Sequence, residues 1–183
     1  DGEKYEGSWA NNERNGRGTY FYATGDYYVG DWKNDMQDGR GIYKFKNGDV
    51  YEGQYLLGER SGEGTMRFAS GDTYTGSFLQ GEQSGKGTFI WKGVATYTGD
   101  WQHNMMHGHG VYKWKNGDEY NGGWKNNAMD GEGILRYANG GRFKGSFSAG
   151  KRDGKSIELK SDGTRIDCTY KQGVKHGPFV EYD

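Results

Sequence analysis

The chain has 183 residues, 35 of them glycine and 16% aromatic, with a formal net charge of −1. That balance provides no basic field for nucleic acid, and the aromatic content excludes a disordered polymer, which is poor in such residues. A single cysteine rules out an internal disulfide framework and suits a reducing compartment. No apolar run approaches the ~20 residues of a membrane-spanning helix, and no signal peptide is visible.

The whole length repeats with a period of 23 residues, and a repeat found at this scale decides the fold class. Each copy opens on an aromatic or apolar anchor: Tyr5, Tyr28, Tyr51, Tyr74, Tyr97, Tyr120, Phe143 and Ile166. Glycine follows two residues later, with Cys168 as the last member of that column. A second aromatic stands four after the anchor, as at Trp9, Trp32, Tyr55, Trp101, Trp124 and Tyr170. A glycine stands eleven after it in every copy, from Gly16 to Gly177, and another thirteen after it in the first six, from Gly18 to Gly133.

In the second copy, Tyr28, Gly30 and Trp32 alternate, which predicts a first strand with these three on one face and Val29 and Asp31 on the other. Gly39, Gly41, Tyr43 and Phe45 alternate in the same way and predict a second strand. The Asn47-Gly48, Asn116-Gly117 and Asn139-Gly140 pairs predict two-residue turns between copies. The turn inside each copy is expected to be longer, with Asn, Asp or Gly at its left-handed position. Glycine normally weakens a strand interior. Here it gives an aromatic ring room to lie flat on the backbone, so that stacked copies bury what one copy cannot.

Further along, Gly93 is displaced by one residue and Val94-Ala95 replace the usual Gly-Asp, so a bend or register change is expected between the fourth and fifth copies. The last two copies degenerate: Ser156 and Phe179 replace glycines, and Lys160 and Asp183 replace aromatics, as capping copies do. Asp1 stands first and Gly2 occupies the turn-glycine place of a preceding copy, so residues 1–183 read as one array cut from a longer one.

This pattern, Y-x-G-x-W followed by G-x-G-x-x-x-F/Y and N-G-D, resembles the MORN (membrane occupation and recognition nexus) repeat over all eight copies. The resemblance implies a hairpin per repeat and a scaffolding role. The fold expected is all-β: an elongated, twisted single-layer antiparallel meander of eight hairpins, without helices. With no other domain present, the chain looks most like the all-MORN cytoskeletal scaffolds of protist parasites. That likeness implies a cytoplasmic, cytoskeleton-associated protein with cytoskeletal partners that also pairs with itself.

No catalytic constellation is present, and the recurring Gly-x-Gly pairs lie inside strands rather than ahead of a helix that would face a phosphate. Tyr28, Trp32, Tyr51, Tyr74, Trp101, Tyr120 and Trp124 are expected to form the core and to line a partner groove. Cys168, Tyr170, Phe179, Val180 and Tyr182 mark the last copy as a homodimer contact. His107 and His109, two apart on one strand, with His103 nearby, are a candidate zinc set, against the simpler reading of solvated turn positions. Residues 142–183 hold 9 basic and 6 acidic residues. There Lys151, Arg152 and Lys155 are candidates for anionic phospholipid headgroups, the second functional reading, that of a peripheral membrane module.

Overall fold

A computed structural model describes residues 2–182, and among them there is no helix. The chain divides into two compact units, one ending at Lys92 and the other beginning at Gly93, at the junction where the turn glycine is displaced. In the first unit eight strands run in sequence: β1 (Lys4–Ala10), β2 (Glu13–Phe21), β3 (Tyr27–Lys33), β4 (Met36–Lys44), β5 (Val50–Leu56), β6 (Glu59–Arg67), β7 (Thr73–Leu79) and β8 (Glu82–Trp91). Each pairs antiparallel with the next. The second unit continues the pattern with β9 (Ala95–Gln102), β10 (Met105–Trp114), β11 (Glu119–Lys125), β12 (Ala128–Arg136), β13 (Arg142–Ser148), β14 (Lys151–Leu159) and β15 (Arg165–Lys171). Two short pieces, β16 (Val174–Lys175) and β17 (Val180–Tyr182), both pair with β15. The final hairpin lacks a continuous second strand, because Pro178 between these pieces has no N–H to give to a ladder.

The two kinds of turn are the reverse of the sequence expectation. The turn inside each copy is the tight one: Asn34 and Asp35, at φ 48° and 65°, close β3 onto β4 as a two-residue turn with both residues left-handed. The same place holds Leu57 and Gly58 at 51° and 86°, and Ala149 and Gly150 at 46° and 81°. A bond between copies fixes these unlikely residues: Gly58 donates its N–H to Gln37 O at 2.9 Å and Gly150 to Met129 O at 2.8 Å. The turn between copies is longer. Residues 45–49 join β4 to β5 with Gly48 left-handed, and Gly48 N–H donates to Phe45 O at 3.0 Å. This is a type I turn followed by a left-handed glycine, so Asn47-Gly48 does not form the two-residue turn its chemistry suggests. Asp26, Asp49, Asp72 and Asp118 each accept the backbone N–H of the following turn at 2.8 Å, tying copy to copy.

The expected pairing of ring and glycine holds for two of the three glycine columns. Gly30 and Gly41 face each other across β3 and β4, and the Tyr28 ring lies over both. A Cβ on Gly41 would stand 2.2 Å from Tyr28 Cε2, and one on Gly30 would stand 2.4 Å from the hydroxyl. The third column, invariant through all eight copies, has another cause. Between the Gly30–Gly41 pair and the Trp32–Gln37 pair β4 carries extra residues, a bulge, and Gly39 sits there at φ 109°. A Cβ on it would meet the Asp31 carboxylate at 2.9 Å, on the polar side, so the bulge removes Gly39 from the face that alternation assigns it.

The anchor rings Tyr5, Tyr28, Tyr51, Tyr97, Tyr120 and Phe143 each meet two others edge to face. Tyr28 touches Trp32 of its own copy at 5.3 Å and Tyr55 of the next at 5.1 Å. Tyr120 meets Trp124 at 5.4 Å and Phe147 at 5.1 Å. Such pairs contribute about 0.5–1.5 kcal/mol beyond burial. Tyr28, Tyr51, Tyr74, Tyr97 and Tyr120 are completely buried, and this ladder is the core of each unit. The anchor and its glycines change together. The seventh copy carries Phe143 with Ser156, and the eighth carries Ile166 with Cys168 and Phe179. As the anchor shrinks, its seat accepts the larger Ser156 and Cys168, both buried, and Ser156 Oγ donates to Cys168 O at 3.1 Å there.

Candidate functional site

The seven rings expected to line a groove are instead enclosed. Tyr28, Tyr51, Tyr74 and Tyr120 are fully buried, and Trp32, Trp101 and Trp124 nearly so. Each anchor hydroxyl is also engaged: Tyr28 donates to Asp31 O at 2.9 Å and Tyr120 to Gly123 O at 3.0 Å. Burial pushes the hydroxyl pKa of Tyr51 and Tyr120 up to about 12. These rings hold the sheet together and present no contact surface.

What solvent meets on the same face is the row contributed by the second strand of each hairpin. Tyr43 pairs across strands with the anchors Tyr28 and Tyr51, so it shares their face, yet it is only half-buried. Phe45 lies one step beyond, at the mouth of the turn between copies, where no anchor covers it. In the first unit Tyr20, Tyr22, Tyr43 and Phe45 form a continuous run with centroids 4.7, 5.5 and 4.5 Å apart. Phe68, Phe89 and Trp91 follow, at 5.7 and 4.4 Å. In the second unit Tyr112 and Trp114 continue the motif at 4.7 Å, beside half-buried Leu135 and Tyr137. Sequence reasoning put these rings on the correct face but did not separate them from the core. The available signal was their position at the turn end of the second strand.

Along the inner margin, cations cover part of the ring ladder. Arg14 lies 4.4 Å from the Trp32 ring and Arg60 5.5 Å from Tyr51, positions filled by Gln37 and Gln83 in alternate copies. Arg152 is the equivalent residue of the seventh copy, 4.4 Å from the Phe143 ring. It also donates to Glu158 at 3.2 Å, to Tyr170 OH at 3.0 Å and to Tyr137 OH. Burial raises the Glu158 carboxyl, but the Tyr170 hydroxyl, Lys175 and Arg152 outweigh it and hold the group below its ordinary range. Arg152 is therefore committed within the sheet. Exposed Lys151 stands at a hairpin tip, and Lys155 lines the opposite face with Glu132 and Asp167. The structure does not bring these three candidate headgroup ligands together.

The histidines are placed separately too. His103 stands in a two-residue turn, and His107 and His109 flank the left-handed bulge glycine Gly108. His109 Nε2 lies 2.8 Å from Asn121 Oδ1, while His107 Nδ1 is buried without a hydrogen-bond partner among the described residues. Among the described residues, no group of three or more His, Cys, Asp or Glu side chains is placed to hold a metal ion. In the last copy Cys168 and Tyr170 are buried within the sheet, whereas Phe179, Val180 and Tyr182 are about half exposed.

A family model described as MORN repeat matches residues 5–27, 28–50, 51–73, 74–93, 97–119, 120–142 and 143–165. The copy that opens at Ile166 lies outside that match. No curated protein matches the chain. Among solved structures, the G-box domain of the microcephaly protein CPAP is similar at a TM-score of 0.56 and 12% identity, covering 91% of this chain and 86% of that one. The TCP10 domain of Danio rerio CPAP, in complex with a peptide of Danio rerio STIL, is similar at a TM-score of 0.52 and 14% identity, covering 88% and 72%. At these identities the likeness is one of fold.

Proposed function

Because the chain belongs to the MORN repeat family, we propose that it is a non-enzymatic scaffold that binds other proteins, and that it does so through the half-exposed aromatic row. The observation that carries this reading is the division of labour on one face. The anchors are buried, while Tyr22, Tyr43, Phe45 and Trp114 are only half-buried. The Trp114 indole N–H donates to no group among the described residues, as suits a ring kept for a partner. Similarity of fold to a domain solved with a bound peptide supports the same reading. The setting we propose is cytoplasmic and cytoskeleton-associated. Affinity capture from a native extract tests it: replacing Phe45 and Trp114 by serine should abolish capture of a defined set of proteins. Capture that survives both changes but fails with an opposite-face change, Ile42→Ser, would overturn it.

Two finer readings go with this. Self-association would use the exposed Phe179, Val180 and Tyr182, and light scattering on the protein and on a Phe179→Ser, Tyr182→Ser variant measures it. A lipid-binding role would use the polar face of the second unit rather than Lys151, Arg152 and Lys155. There Arg136, Arg142, Lys144 and Arg165 surround a depression of about 350 Å³. Glu119 and Asp167 pair with the outer two, while Arg142 and Lys144 have no ion pair among the described residues. Salt-sensitive sedimentation with anionic vesicles, lost in Arg142→Ser with Lys144→Ser, tests that role.

A further inference from the structure

We infer that the aromatic row of the first unit takes a polyproline II segment carrying basic residues, one three-residue turn of the ligand per repeat. This rests on the reading of that row as a protein-binding surface.

The inference comes from pitch. Consecutive copies are two strands apart, and strands lie about 4.8 Å apart, so equivalent rings recur every ~9.6 Å along the unit. A polyproline II helix rises ~3.1 Å per residue with three residues per turn, so its side chains return to one face every ~9.3 Å. The mismatch is about 0.3 Å per repeat, small enough to carry through four copies. An α-helix rises ~1.5 Å per residue, so ~9.6 Å falls between six and seven residues and its contacts drift off the row. An extended strand shows one face every second residue, about 6.8 Å, and misses the pitch altogether.

The chemistry of the row fits as well. A flat aromatic face such as that of Phe45 is a surface against which proline rings pack. A polyproline II backbone makes no internal hydrogen bonds and leaves its carbonyls free to accept. Tyr22 accepts from Gln37 Nε2 at 3.0 Å and so keeps its own hydroxyl proton to donate. Charge selects the flanking residues. Glu3 accepts from the Tyr20 hydroxyl at 2.8 Å and Asp26 from that of Tyr43 at 3.0 Å. Asp49 and Asp72 hold the same turn position in the next copies, where their carbonyls accept from the N–H of Phe45 and Phe68. Against these four carboxylates stand the Lys46 and Lys92 ammonium groups and the Arg14 guanidinium, which lies 4.9 Å from the Tyr20 ring and is paired with Asp35. The Lys46 N–H bond helps to hold the Asp26 carboxyl below its ordinary range, so that carboxylate is charged at neutral pH. A Lys or Arg at every third position of the ligand would meet one such carboxylate per repeat.

Fluorescence anisotropy with labelled peptides of about twelve residues, the length that spans four repeats at this pitch, makes the test. The probes are a Pro-Pro-Lys repeat, a peptide of identical composition with its prolines out of period three, and a helix-forming leucine–lysine peptide of equal charge. The expected result is saturable binding of the period-three peptide, at least tenfold tighter than either control. Tyr22→Ala and Phe45→Ala, each verified as folded by circular dichroism, should weaken it at least tenfold, and Ile42→Ala should not. Equal binding of the two proline peptides, preference for the helical peptide, or indifference to both ring variants would overturn the inference. If no probe binds while capture from extract still depends on Phe45, the ligand class is wrong and the interaction surface stands. If capture is also indifferent to Phe45, the surface falls with it.

Discussion

The Tyr28 ring occupies the space that a side chain on Gly41 would need, with only 2.2 Å between the ring's Cε2 and the place of a Cβ. The two residues lie on adjacent strands, and the same contact recurs in the copies opened by Tyr5, Tyr51, Tyr74, Tyr97 and Tyr120. It explains how a sheet with no second layer keeps a dry core. The missing side chains admit the rings, and the rings cover one another along the array.

This relationship predicts a specific rescue. Gly133→Ser should be destabilising by about 1–3 kcal/mol, because the added atom meets the Tyr120 ring at 2.4 Å. The seventh copy already pairs a serine with a smaller anchor, Ser156 with Phe143. Adding Tyr120→Phe to Gly133→Ser should therefore recover part of the loss, with a coupling on the order of 1 kcal/mol in a double-mutant cycle. Additive urea midpoints would show that the two columns vary independently.

A second prediction separates the bulge glycine from the ring seats. Gly108 stands at φ 62°, and a Cβ there would meet Asp100 at 2.9 Å. Gly108→Val should cost on the order of 2 kcal/mol, since a β-branched residue in the left-handed region is strained. Lys113→Val, on an exposed side chain 3.4 Å from Glu119, should change stability by no more than about 0.5 kcal/mol. Gly108→Asn should recover much of the loss, because asparagine tolerates this conformation. A valine no worse than asparagine would mean that the conformation is not what demands glycine.

The repeat period, the hairpins, the aromatic face and two glycine columns were legible in the sequence, because alternation along an unbroken ladder places them. The third column was not, because the bulge at Gly39 breaks the alternation without leaving a mark beyond the glycine itself. The turns were exchanged for a similar reason. Asn47-Gly48 has the chemistry of a two-residue turn, yet Leu57-Gly58 and Ala149-Gly150 adopt it, held by bonds from the preceding copy that no local rule contains. The outer row was not separated from the core because Tyr28 and Tyr43 share a face and a periodicity. Only three-dimensional neighbours distinguish them: Tyr55 closes edge to face over Tyr28 from the next copy and buries it, whereas Tyr43 lies between Tyr22 and Phe45 and stays half-buried.

The core tyrosines predict how the fold responds to alkali. Burial raises the Tyr51 and Tyr120 hydroxyls from 10.0 to about 12. The unfolded chain releases these protons first. Stability contributed by the neutral hydroxyls is therefore fully present below pH ~10 and is lost as the pH rises towards ~12. Urea midpoints should fall across that window, and Tyr51→Phe with Tyr120→Phe should flatten the fall. An unchanged profile in the double variant would show that these groups are not what titrates.

The most direct test of the central claim, that the outer aromatic row meets the partner while the polar face does not, is site-specific photo-crosslinking. Benzoylphenylalanine placed at Phe45 and, separately, at Ile42 probes opposite faces of β4 in an otherwise unchanged protein. Crosslinking of the captured partner from position 45 and not from position 42 is the predicted result. Crosslinking from position 42 alone would contradict the account.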